Sequence, residues 1–223
     1  MKKLNAKQLK ILAIITMLID HTAVALYGIV DFITYNYSLM RAIGRIAFPI
    51  FVFMLVEGFY KTHDRIKYMR NMFIFALISE IPFNLLFRDS IFATNYQNIY
   101  FTLLIGLISI YFIDKSKSTL LTLSIAGLGC LTGQVLNVDY KYLGVLAIII
   151  FYLSHNYEDN KKRFIMYSLA FAFEYKSFVH ISNVLLTFFY NGERGKQNKW
   201  FFYIFYPAHL LILYFLKRYL IGL

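Results

Sequence analysis

The chain has 223 residues, of which 59% are hydrophobic and only 16% charged, and apolar blocks recur along its whole length. This composition excludes a soluble domain of any size and predicts a polytopic membrane protein. The net charge of +11 does not require nucleic acid as a partner, because most Lys and Arg fall in connections on one predicted side of the membrane, which is the positive-inside bias.

Apolar blocks of about 15 to 22 residues each are interpreted as membrane-spanning helices. They lie near residues 10–30, 45–60, 71–88, 98–113, 119–136, 142–154, 164–175, 177–190 and 200–216. Several blocks are short for a straight crossing, so we expect about eight to ten spans in one all-α polytopic helical bundle. No linker or internal repeat interrupts the sequence, and residues 1–223 are predicted to form a single domain in the lipid bilayer of the cell membrane.

The distribution of basic residues predicts a cytoplasmic N-terminus. The tracts at residues 61–70, 155–163 and 191–199 would then face the cytoplasm. Lys217 and Arg218 are the exception, because nine spans would leave them outside, whereas eight or ten would return them to the inside.

The first span carries two ionisable residues, Asp20 and His21, at its centre. If Lys10 marks the cytoplasmic surface, His21 lies roughly 16 Å further along the helix, near the bilayer midplane. A charge at that depth is costly unless it faces protein or water, so packing alone explains the pair poorly. Asp20 points about 100° away from His21 around the helix and is expected to pair with another helix, with Arg45 as one candidate partner.

Two further ionisable residues are predicted to reach a similar depth. Glu80 lies ten residues after Arg70, and Pro82 just beyond it frees a backbone carbonyl that could face a cavity. His209, in the last span, follows Pro207. Either side chain could also be a hydrogen-bonded packing residue.

Other sequence signals narrow the chemistry. Glu57, near the cytoplasmic end of the second span, is expected to pair with the basic tract that starts at Lys61. Two histidines and two carboxylates at one depth could formally bind zinc, but no ligand spacing such as H-E-x-x-H supports this, and no metal is expected. The single cysteine, Cys130, excludes a disulfide framework. No nucleophile elbow, Walker loop or dinucleotide fingerprint is present.

Five blocks of the sequence resemble the TraX family, which is named for the conjugation protein that acetylates the N-terminus of pilin. These blocks are KILAIITMLIDHT, GRIAFPIFVFMLVEGF, KYMRN, SEIPFNLLF and YPAHL, in that order. TraX is similar to a wider group of transmembrane acyltransferases that includes the acyltransferase-3 proteins and the heparan-alpha-glucosaminide N-acetyltransferases. First helices in that group typically show an arginine followed, eleven residues later, by Asp-His or a lone His.

Lys10, Asp20 and His21 fall on that pattern, so the resemblance implies that His21 is the catalytic histidine. Lys10 departs from the usual arginine, and lysine offers a phosphate a point charge without a bidentate fork. The resemblance further implies acetyl-CoA as the donor, entering from the cytoplasmic side. The acceptor would be an amine or hydroxyl, with the N-terminus of a peptide such as pilin favoured and a sugar as the alternative.

The expected mechanism uses His21 as a general base or as a transient acyl carrier. Asp20 or Glu80 would supply a carboxylate partner to this base. The candidate donor-binding cations are Lys10, Arg45, Lys67 and Arg70, and the candidate oxyanion or acceptor contacts are Asn84, Thr102 and His209.

Two other functions fit the same pattern. A proton-coupled transporter would use the buried ionisable groups as a relay, although the two halves of the chain show no matching symmetry. A non-catalytic membrane assembly protein would use these groups only to hold helices together.

Overall fold

The computed structural model describes residues 3–93, 95–174 and 177–222, except for the side chain of Lys199. The last residue of the predicted span 164–175 and the Lys199 side chain of the third basic tract therefore lie outside the described residues. Within the described ranges all regular secondary structure is helical, and the only β-type pairing consists of two isolated bridges.

Each predicted apolar segment coincides with helical structure. The helices are α1 (Ala6–Leu26), α2 (Asp31–Tyr35), α3 (Tyr37–Gly44), α4 (Ala47–Lys61), α5 (Arg65–Arg88), α6 (Ile99–Lys115), α7 (Thr119–Val135), α8 (Lys141–Ser154), α9 (Asn160–Ala170), α10 (Val179–Val184) and α11 (Lys199–Leu220). A 3-10 turn (Ala172–Glu174) follows α9, and a π-helical turn (Leu185–Phe189) follows α10.

Helix ends follow local chemistry rather than hydropathy alone. The first helix begins before its apolar run because Asn5 and Gln8 form a capping box, in which the Asn5 side chain accepts from the Gln8 backbone and the Gln8 side chain accepts from that of Asn5. α5 and α11 both continue past an internal proline, Pro82 and Pro207 respectively.

Membrane-length helices confirm the membrane class of the prediction. In the part of the chain that the structure describes, four stretches are long and apolar enough to cross a bilayer: Ala6–Leu26, Tyr37–Lys61, Arg65–Arg88 and Trp200–Leu220. Other apolar helices, such as α7 and α8, are shorter. The expected eight to ten crossings and the cytoplasmic N-terminus stay predictions.

The chain divides into two compact units. Unit 1 comprises Met1–Phe51, Ile81–Phe92 and Phe171–Leu223, and unit 2 comprises Val52–Glu80 and Ala93–Ala170. In unit 1, α1 packs against α3 and α11. In unit 2, α6, α7 and α8 pack against one another, and α9 packs on α8.

Glycines allow the closest helix contacts within each unit. In unit 1 a Cβ atom on Gly44 would lie 2.3 Å from Cβ and Oδ1 of Asp20, so α1 and α3 approach closely at this point. In unit 2 a Cβ atom on Gly129 would lie 2.3 Å from the hydroxyl of Ser109. Small residues therefore set the helix spacing, as is common where lipid removes the hydrophobic drive for helix association.

Candidate active site

His21 and His209 are hydrogen-bonded to each other inside unit 1. Nδ1 of His21 lies 2.7 Å from Nε2 of His209, and the two ring planes differ by only 5°. His209 is 3% exposed, and its Nδ1 lies 2.8 Å from the backbone oxygen of Phe205, one helical turn earlier. The structure therefore brings together two of the predicted site residues.

These two hydrogen bonds determine where the protons of a neutral pair lie. The Phe205 oxygen can only accept, so Nδ1 of His209 must donate to it. Nε2 of neutral His209 is then an acceptor, and Nδ1 of His21 donates to it. The Nε2 atom of His21 is left with a lone pair, which is the state that a base or nucleophile requires.

Aromatic rings surround the histidine pair. Phe87 meets His21 edge to face at a centroid distance of 5.5 Å, and Tyr206 does so at 6.1 Å. The ring of Phe205 stacks on His209 at 4.9 Å. These rings hold both imidazoles in place by packing.

Asp20 pairs with Arg41, one helical turn before the predicted partner. The distance from Nη1 of Arg41 to Oδ2 of Asp20 is 2.6 Å, and Asp20 also lies against Gly44. Nε of Arg45 lies 3.6 Å from Oε1 of Glu174. The expectation that Asp20 pairs with another helix is confirmed, and its ion-pair partner is Arg41, which the sequence analysis did not name.

The ion pair gives Asp20 a positioning role. Its carboxylate is bonded to α3, and the next residue along α1 is His21. Through these contacts Asp20 helps to set the rotation and axial position of α1 relative to α3 next to His21. Because 12% of its side chain is exposed, the pair is largely removed from solvent, and loss of one partner would leave a poorly solvated charge.

Lys10 and Asn84 are the other predicted site residues in unit 1. Nζ of Lys10 lies over the ring of Phe202, 5.1 Å from its centroid, which is a cation–π contact between α1 and α11. Asn84 is 1% exposed. Lys10 is about three helical turns from His21 along α1, as the sequence predicted.

The side chains of Glu80 and Thr102 form hydrogen bonds within unit 2. Oε2 of Glu80 accepts a hydrogen bond of 2.5 Å from Nδ2 of Asn98, which also donates to the backbone oxygen of Ala76. Thr102 donates its hydroxyl proton to the backbone oxygen of Asp139. In this structure the single proton of Thr102 is thus used by a carbonyl rather than offered to an oxyanion.

Lys67 and Arg70 are exposed residues in the first turns of α5. The side chain of Asp64 accepts a 2.7 Å hydrogen bond from the backbone of Lys67 and caps the helix start. Both cations remain candidates for donor phosphates, which prefer accessible positive charge.

A second ionisable cluster occupies unit 2. The expected pairing of Glu57 with the basic tract is confirmed, since Oε2 of Glu57 lies 2.8 Å from Nζ of Lys61. Oε1 of Glu57 lies 3.7 Å from Nε2 of His155, just beyond the end of α8. Burial lowers the pKa of His155 from its ordinary value; Glu57 opposes this shift, and Arg163 and Lys61 add to it.

Two features of the site could be found in the sequence only in part. The depth count placed His21 and His209 at one level, and their contact follows that signal. Arg41 was missed, although its i, i+4 spacing to Arg45 and the glycine between them mark one face of α3.

Comparisons with known proteins agree with the sequence blocks. A probable fimbrial assembly protein of Dichelobacter nodosus (FimC, serogroup H1) is 27% identical over an alignment of 243 positions, gaps included, that covers 97% of each chain. An uncharacterized protein of Rickettsia prowazekii (strain Madrid E) is 35% identical over 108 residues, which are 48% of this chain and 37% of that protein. No solved structure matches the chain. The family model described as TraX protein matches residues 5–217, and the chain therefore belongs to the TraX family.

Proposed function

We propose that this protein is a membrane-embedded acetyltransferase that moves the acetyl group of acetyl-CoA to an amine or hydroxyl acceptor. The observation that carries the proposal is the hydrogen-bond chain from the Phe205 oxygen through His209 to His21. This chain leaves the lone pair of a neutral His21 on Nε2 and holds the ring in one orientation, which suits a general base at the bilayer midplane.

In the transfer step, His21 alone takes up the proton that the acceptor loses and returns it to the leaving group. Nε2 takes a proton from the acceptor as the acceptor attacks the thioester carbonyl, and the carbon–oxygen double bond opens to an oxyanion. When the oxyanion collapses, the carbon–sulfur bond breaks and the imidazolium returns the proton to the CoA thiolate. In the two-step alternative, Nε2 attacks the thioester carbonyl, the carbon–sulfur bond breaks and CoA leaves as the thiolate. The acceptor then attacks the acetyl-imidazolium, the nitrogen–acetyl bond breaks, and the acceptor proton neutralises the CoA thiolate.

His209 has a supporting role in this scheme. When His21 becomes an imidazolium, its Nδ1–H still points at Nε2 of His209, so the positive charge is stabilised by an acceptor 2.7 Å away. The bond from His209 to the Phe205 oxygen prevents the His209 ring from presenting a proton to His21 in the neutral resting state.

The acceptor class is inferred from the relatives. The Dichelobacter protein is named for fimbrial assembly and is similar over nearly the whole chain. This similarity favours the N-terminal amine of a peptide, such as a pilin subunit, over a sugar. Lys10, at the other end of α1, is the candidate contact for the donor phosphates.

The decisive experiment measures release of free CoA from acetyl-CoA by detergent-purified protein, with N-terminal pilin-like peptides and amino sugars as acceptors. Native protein is compared with His21→Gln and with the matched control His63→Gln, which changes an exposed histidine in the connection before α5. We expect acceptor-dependent release by native and control proteins, and a loss of roughly 10²- to 10⁴-fold in His21→Gln. Equal rates in all three proteins would overturn the proposal.

A proton-coupled transporter is the second candidate, because two hydrogen-bonded imidazoles can also pass a proton. Proteoliposomes with an interior pH dye separate the two functions. Proton movement that depends on His21 but not on acetyl-CoA would favour the transporter.

A further inference from the structure

The segment formed by α10 and its π-helical turn carries buried polar atoms with no protein partner. Asn183 is 0% exposed, and within the described residues neither its Oδ1 nor its Nδ2 has a hydrogen-bond partner. Thr187, one turn further on the same side, is 1% exposed, and its hydroxyl likewise finds no partner in the described chain.

Leaving three such atoms unpaired is costly. An amide or hydroxyl removed from water without a hydrogen bond destabilises a protein, and an apolar residue of similar size would avoid that cost. The π-helical turn at Leu185–Phe189 is itself a departure from regular geometry of the kind that frequently marks functional sites. Both features lower stability and therefore indicate that the segment has a functional role.

The two ends of the same segment are held by backbone hydrogen bonds within unit 1, one of them next to Arg41. Its first end is held by a 3.3 Å hydrogen bond from the Phe178 backbone to the oxygen of Ala42, next to Arg41. Its other end is held by backbone bonds from Leu4 to the oxygen of Phe189, at the start of α1. Backbone hydrogen bonds therefore join the segment to α3 beside Arg41 and to the residues that precede α1.

The chemistry of Asn183 identifies what would satisfy it. A side-chain amide offers an N–H donor and a carbonyl acceptor, so it can donate to the oxygen of a ligand amide or accept from its N–H group. We infer that Asn183 and Thr187 bind a secondary amide of a chain-like ligand. Two sources offer this group: the pantetheine arm of an acyl-CoA, which carries two amides, and the backbone of a peptide acceptor. The inference deepens the proposed function, on which it rests for the choice of these two sources.

The test measures binding without turnover, so that it can fail separately from the acetyl transfer. Pantetheine and the capped peptide acetyl-Ala-Ala-Ala-amide are each titrated into native protein, Asn183→Leu and Thr187→Val, and the dissociation constant and melting temperature are recorded. Thr132→Val, at an exposed position of α7, is the matched control for the loss of a threonine hydroxyl.

We expect Asn183→Leu to weaken binding of one probe by about tenfold to hundredfold, while the ligand-free protein melts about 3 to 8 °C higher because a buried unpaired amide is gone. Selective loss of pantetheine binding assigns the site to the donor, and selective loss of peptide binding assigns it to the acceptor.

The inference fails if neither probe binds the native protein, or if both variants bind the probes as the native protein does. Should Asn183→Leu not fold, Thr187→Val carries the test, because it removes one hydroxyl at nearly constant volume. Its expected effect is a several-fold loss of affinity that Thr132→Val does not show.

Discussion

Nδ1 of His21 lies 2.7 Å from Nε2 of His209, although 188 residues separate the two in the chain. The contact joins the first long helix to the last and makes the protonation state of one ring depend on the other. His209, which the sequence suggested as an oxyanion or acceptor contact, is thereby a positioning residue for His21 in the proposed reaction.

The first prediction concerns the acceptor atom that His209 offers to His21. His209→Gln places an amide oxygen near the position of Nε2, and this oxygen can still accept the hydrogen bond from Nδ1 of His21. The leucine side chain of His209→Leu has no acceptor atom. We expect kcat for acetyl transfer to fall by about 10²-fold or more in the leucine variant and by clearly less in the glutamine variant. A pH–rate profile that shifts in the leucine variant and not in the glutamine variant would identify a tautomer effect, whereas equal losses and unshifted profiles would argue for packing alone.

The second prediction concerns the close approach of α1 and α3. Gly44→Ala would place a Cβ atom 2.3 Å from Asp20, so the ion pair to Arg41 or the helix spacing must change. We expect a loss of about 1 to 3 kcal/mol in stability and a lower rate of acetyl transfer. Gly127→Ala in α7 is the control, because its added Cβ meets nothing within 4 Å. Thermal melts of the two variants check the prediction, and equal melting temperatures would contradict it.

The third prediction separates a structural role of Glu80 from a catalytic one. Asn98 caps α6 by accepting from the Tyr100 backbone while it donates to Glu80. Glu80→Gln keeps an oxygen that can accept, so its melting temperature should stay near the native value, whereas Asn98→Ala should cost about 1 to 2 kcal/mol. If Glu80 assists His21 chemically, Glu80→Gln loses activity despite normal stability. Full activity in that variant would remove Glu80 from the catalytic set.

The fourth prediction is a pH dependence of stability that arises from His155. Burial lowers the pKa of His155 in the folded protein below its ordinary 6.5, so the unfolded chain binds the proton more readily. The contribution of His155 to the free energy of unfolding is therefore complete above about pH 6.5 and is lost as the pH falls through the pKa of His155 in the folded protein. We expect His155→Gln to flatten the fall in melting temperature between about pH 7.5 and 5. The exposed His63→Gln serves as the control, and an unchanged slope in His155→Gln would contradict the assignment.

The fifth prediction concerns donor binding at Lys10. Lys10→Met keeps an apolar side chain on Phe202 but removes the charge. If Lys10 contacts the donor phosphates, KM for acetyl-CoA should rise by about tenfold at low salt with little change in kcat, and the difference should shrink as salt is added. Lys117→Met, at an exposed position between α6 and α7, should leave KM unchanged. An equal KM in both variants would place the donor phosphates elsewhere.

The sequence alone determined the membrane class and the family of the protein and predicted His21 as the candidate catalytic histidine. Apolar blocks of membrane length predict helices because backbone groups in lipid must be paired within the segment, and this requirement is local. The distance of His21 from Lys10 along α1 follows from the constant rise per residue, and the TraX resemblance follows from the order of the sequence blocks.

Only the tertiary structure decided which side chains meet. The ion pair of Asp20 with Arg41, the hydrogen bond between His21 and His209, and the burial of Asn183 away from any hydrogen-bond partner among the described residues all depend on the rotation and axial position of each helix. A shift of one helical turn moves a residue by about 5 Å without altering the apolar pattern that lipid selects. That shift is set by close contacts such as Gly44 against Asp20, which arise only when separate helices pack together.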